Sequence, residues 1–171
     1  MRNLPPLLLG TLVLLGATST PAQERKPPTT LEEDWKTLCR FQWVNSDPKE
    51  AWAQFDEEWK KFRARRGVKG WSKIELAFKD GRPDKKDYRM TVIWYYQDAD
   101  GKEKTDVALN GVVTDLHEEK GHRFLLRGKA KIKYALKDGV LILNGVDDSS
   151  ESRAPKVYTG TYKGIERKEK Q

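Results

Sequence analysis

The residues best suited to chemistry lie in "TDLHEEKGH", residues 114–122. Asp115, His117 and His122, flanked by Glu118 and Glu119, are nitrogen and oxygen donors of the kind zinc accepts. His117 and His122 are the only histidines in the chain. Their spacing matches no His-Glu-x-x-His helix motif. If the stretch is a hairpin tip, the two imidazoles sit across from each other. The plainer reading is a solvated polar turn. Any triad-type hydrolase would also have to assemble here, because general-base chemistry of that kind needs a histidine. The serines of "DDSSES", residues 147–152, have no nucleophile-elbow pattern around them. No Gly-rich phosphate loop is present, and no motif implies a cofactor.

Charge offers a second chemistry. Formal net charge is +7. Arg63, Arg65, Arg66 and Lys69 cluster near the end of an expected helix, and Lys129, Lys131 and Lys133 alternate along an expected strand. Such surfaces attract anions. The plainer readings are a solvated helix face and lysines that protect a sheet edge. Cys39 is the only cysteine, so there is no internal disulfide, and it reads as a small buried hydrophobe.

The amino terminus bears on the partners. Met1-Arg2-Asn3 is a positive start, "LLLGTLVLLGA" (7–17) a short apolar run, and "ATSTPA" a small-residue end. This is the three-part form of a signal peptide over 1–22. The run is too short for a helix across a bilayer core of about 30 Å. The expectation is an exported protein, periplasmic or extracellular, with no transmembrane segment after cleavage. Export argues against nucleic acid and for an anionic envelope polymer or lipid.

The elements follow from periodicity. Residues 23–30 read as a polar linker. Over 31–67 the pattern is helical. Thr30 and Glu33 fit a capping box, and Leu31, Trp35 and Leu38 share a face. A helix to about Leu38 is favoured, although Trp35–Trp43 also alternates like a strand. Pro48–Arg66 carries Trp52, Phe55, Trp59 and Phe62 as one aromatic stripe, which predicts a single helix of about five turns. From residue 71 the period becomes two. Ile74, Leu76 and Phe78 share a face. So do Met90, Val92 and Trp94, leaving Tyr95 outward, and Ala130, Ile132, Tyr134 and Leu136. Asn110-Gly111 reads as a tight turn or a bulge. Arg123–Leu136 reads as one long run bent at Gly128, Asp138-Gly139 as a hairpin turn, Val157–Lys163 as the last strand, and 164–171 as a charged tail.

The fold class expected is α+β: an N-terminal amphipathic helix region, then an antiparallel meander of six or seven strands over 71–163, in one domain spanning 31–163. Such a sheet must curl, close or be covered.

"WSKIELAFKDG", "FLLRGKAKIKYALKDGVLILNG" and "YTGTYKG" together resemble the small secreted lipocalin-like domains of environmental bacteria such as planctomycetes. The resemblance spans about residues 71–163. It implies a curved sheet, barrel or half-barrel, whose interior holds a small apolar ligand, and it carries over no catalytic residue. Met90, Val92, Trp94, Ile132 and Tyr134 are then the candidate lining. A non-enzymatic binding module is the leading expectation. A hydrolase acting on an envelope substrate through the Asp115–His122 loop is the alternative.

Overall fold

The computed structural model describes residues 29–81, 88–127, 130–147 and 159–167. The expected signal peptide, most of the linker, Gly128 and Lys129, the 149–152 serines and Val157–Tyr158 lie outside them.

Helix α1 (Leu31–Arg40) opens on a reciprocal capping box: Thr30 Oγ1 accepts from the Glu33 amide, and the Glu33 carboxylate accepts from the Thr30 amide. It runs past the expected stop at Leu38 and passes directly into β1 (Phe41–Asn45). The reason lies in Trp43, whose indole N–H donates to the Leu38 carbonyl at 3.0 Å. That bond satisfies an acceptor the helix end leaves open.

The expected five-turn helix is a correction. The chain forms a short α2 (Lys49–Ala53), breaks, and restarts as α3 (Glu57–Arg65). Asp56 makes the break, since its carboxylate caps the Trp59 amide at 2.8 Å. A mid-helix aspartate offers the backbone this competing partner. The aromatic stripe splits with the helix. Phe55 is 8% exposed, whereas Trp59 and Phe62 are 37% and 38% exposed.

Strands β2 (Lys73–Asp80) and β3 (Tyr88–Gln97) form a hairpin. β4 (Glu103–Glu119) is 17 residues long and pairs with β3 along its first part and with β5 (His122–Arg127) along its last. Asn110-Gly111 is a bulge, not a turn. Gly111 has φ +60°, and the register slips opposite Met90–Ile93. Side chains repair the broken ladder: Thr91 Oγ1 accepts from the Gly111 amide, and Arg89 donates to its carbonyl.

Arg123–Leu136 is two strands rather than one. β5 and β6 (Ala130–Lys137) pair antiparallel, with Arg127 opposite Ala130. β6 turns into β7 (Val140–Asp147) through Asp138 and Gly139, at φ 50° and 74°. Two positive φ values are what a two-residue hairpin turn needs. β8 (Gly160–Glu166) takes in three residues of the expected tail and pairs with both β7 and β1. The eight strands follow in chain order and close into a barrel. The architecture is therefore mostly antiparallel sheet, with three short helices among the described residues. Closure removes the edges that a meander of this size would otherwise expose. Among the described residues no helix is long and apolar enough to cross a membrane.

Alternation sends one face of every strand inward. Trp43, Ile74, Leu76, Phe78, Met90, Val92, Leu125, Leu141, Leu143 and Tyr162 are fully buried there.

Candidate functional site

Met90, Val92, Trp94, Ile132 and Tyr134 all lie on the inward faces of β3 and β6 and are buried. These strands are three apart in an eight-strand ring, so they form opposite walls of one interior.

α1 bridges one mouth of that interior. Trp35 packs on Phe78 and Tyr88, with ring centroids 5.8 and 4.2 Å away, and its indole N–H donates to Asp80 at 2.6 Å. One residue earlier, Asp34 reaches the far wall. It accepts from Arg123 at 2.6 Å and from the Tyr134 hydroxyl at 2.7 Å, and Thr29 donates to it at 2.7 Å. Asp34 is 1% exposed. Burial, then the Asp34 carboxylate beside it, push the Tyr134 hydroxyl well above the usual tyrosine range. The candidate ligand residue Tyr134 is thus also the inner end of a polar latch on α1. Neither Asp34 nor Arg123 stands out in the sequence. The signal that could have found Asp34 is its place on the apolar Leu31–Leu38 face, directly after two acids that are solvated.

The other mouth lies where β2 begins and β3 ends, and aromatic rings cover it. Phe55 meets Trp94 at 5.6 Å, Trp71 stacks on Trp94 at 4.7 Å, and Trp52 meets Trp71 edge-on at 5.0 Å. Arg63 from α3 lies within 6 Å of the Trp59, Trp71 and Trp94 ring centroids and pairs with Asp106 on β4. Of the expected anion-binding set, Arg63 is therefore committed to this closure. Arg65, Arg66 and Lys69 remain exposed, with the Arg66 guanidinium 4.5 Å from the Phe62 ring.

His117 lies within β4, and His122 opens β5. The register puts Glu119 opposite His122 and Phe124 opposite His117, so both imidazoles share the outer face as diagonal neighbours. His117 Nε2 is 3.9 Å from Glu119, whose carboxylate Lys131 holds below its usual range through a 2.6 Å bond. The Asp115 carboxylate accepts from the Leu116 amide. Among the described residues no three His, Cys, Asp or Glu side chains converge to hold a metal.

Tyr95 faces outward, as the alternation predicts. It donates to the nearly buried Glu75 at 2.8 Å, and the Lys73 ammonium sits 3.9 Å from its ring centroid. Burial and then Glu75 push its hydroxyl up to about 12. Cys39 is half-buried, and burial followed by the charge of Asp80 raises its thiol to about 11. It is therefore a poor nucleophile near neutral pH. An open groove of about 510 Å³ runs along the outside of β1 and β8, between Asn45, Asp47, Lys49, Glu50 and Lys163. Its mixed charges select no one ligand.

No family model, curated protein or solved structure matches this chain.

Proposed function

We propose that this protein is an exported, non-enzymatic binding module of lipocalin-like type, whose barrel interior takes a small apolar ligand. The observation that carries the reading is closure: eight strands form a ring whose inward face is apolar, with Met90 and Val92 on one wall and Ile132 and Tyr134 on the other. Binding sites of this kind are enclosed and mostly apolar, with a few polar groups that orient the ligand. The Tyr134 hydroxyl, held by Asp34, is such a group at the α1 mouth. Export rests on the signal-peptide pattern of residues 1–22. An anionic envelope polymer is the second partner class that the exposed arginines and lysines suit.

Titration of the protein with alkanols, fatty acids and sterols, read by tryptophan emission, tests the interior. We expect saturable one-to-one binding of one class, weakened by Ile132→Phe, which fills the interior while keeping a cooperative melt. Absence of saturable binding across the panel would overturn the reading.

A further inference from the structure

We infer that α3 is a docking surface for anionic lipid, with Trp59 and Phe62 as its apolar anchors. The inference is independent of what the barrel holds.

The first observation is exposure. Trp59 and Phe62 stand three residues apart on one helix, with rings 5.6 Å apart and nearly perpendicular. Both are more than one-third exposed, although the adjoining Phe55, Trp71 and Trp94 are buried. Among the described residues the other exposed large apolar side chains, Val107 and Ile165, are more exposed still but are single aliphatic residues on β4 and β8. α3 is thus where aromatic surface is left toward solvent as a pair.

The second observation is charge. Between Glu57 and Lys69, Lys60 pairs with Glu57, and Arg63 with Asp106. That leaves Lys61, Arg65, Arg66 and Lys69 against the single carboxylate of Glu58. None of these four cations has an ion pair among the described residues, and Arg66 lies over the Phe62 ring. Gly67 abuts Ala99, so the next turn lies alongside; its Lys102 and Lys104 are outnumbered by Asp98, Asp100 and Glu103, so the cationic excess is confined to α3 and its end.

Cations around exposed Trp and Phe suit a lipid interface better than a soluble polyanion. A polymer needs only the charge, whereas aromatic rings settle at the headgroup level of a bilayer while flanking Lys and Arg meet anionic headgroups. Charge and apolar contact together supply the two signals that stable surface attachment requires.

Co-sedimentation of the protein with vesicles tests this. One set is phosphatidylcholine alone; the other adds phosphatidylglycerol. We expect sedimentation with the second set only, weakened by added salt. Arg65→Gln with Arg66→Gln changes exposed side chains and should lower partitioning by about tenfold or more. Phe62→Ser should lower it severalfold, with an unchanged thermal melt for both variants. Equal binding to neutral vesicles, indifference to these substitutions, or retention on heparin without vesicle binding would each overturn the inference, the last in favour of an acidic polymer.

Discussion

Asp34 shows how one residue ties a helix to a barrel. A carboxylate that is 1% exposed is stable there because Arg123, Tyr134 and Thr29 all donate to it. Removing one member of a buried pair leaves the other charge uncompensated, at a cost of about 3–5 kcal/mol. Arg123→Leu should therefore destabilise far more than Tyr134→Phe, which removes one hydrogen bond worth about 1 kcal/mol. Urea unfolding of both variants checks the order, and equal midpoint shifts would deny that the ion pair dominates. Tyr95 gives a pH prediction. Its folded proton is held to about 12 by burial and Glu75, against about 10 in an unfolded chain. Between those values the unfolded state releases the proton and the folded state keeps it, so stability falls as pH rises through that window. Tyrosinate absorbance should show Tyr95 and the more deeply buried Tyr134 titrating late, and Glu75→Gln should bring only the Tyr95 component down. The outward direction of Tyr95 was legible in the alternation. The latch was not, because Asp34, the third of three consecutive acids after Glu32 and Glu33, looks like an ordinary helix-start charge.

At the scale of elements, local chemistry set most boundaries. Thr30 and Glu33 placed the start of α1, and Asp138-Gly139 placed the β6–β7 turn. Gly139→Val puts a β-branched side chain at φ 74°. It should lower the melting temperature, since such residues are strained there, and an unchanged melt would refute the turn assignment. Asp56 misled the helical reading because acid at 56–58 also suits a helix interior beside Lys60 and Lys61. Its side chain instead caps a new helix. Asp56→Ala should cost about 1 kcal/mol, seen as a shifted urea midpoint with an unchanged slope. The β5–β6 reversal was hidden for a related reason. Arg123–Leu136 is one strand-like run interrupted only by Gly128, and a single glycine carries no sign of whether a strand bends or doubles back.

For the whole molecule, the consequence of closure is that both mouths are covered by chain preceding β2. α1 covers one through Trp35 and Asp34, and the α2–α3 segment covers the other through Phe55, Trp71 and Arg63. Release of α1 should open the interior. We predict that Asp34→Asn combined with Trp35→Ala speeds ligand exchange more than it weakens equilibrium binding, which stopped-flow tryptophan emission would read. Faster release with unchanged association, and affinity lost in proportion, would instead make α1 part of the site wall. The amino-acid order by itself determined the antiparallel meander, the inward set Met90, Val92, Ile132 and Tyr134, and the β6–β7 hairpin turn. Each depends on side-chain period or backbone chirality over a few residues. Closure of β8 onto β1, the Asp34–Arg123 latch and the exposure of Trp59 and Phe62 were decided only by tertiary structure. Those features join residues dozens of positions apart, and a ring closes through the summed twist and stagger of all its strands, which no local stretch contains.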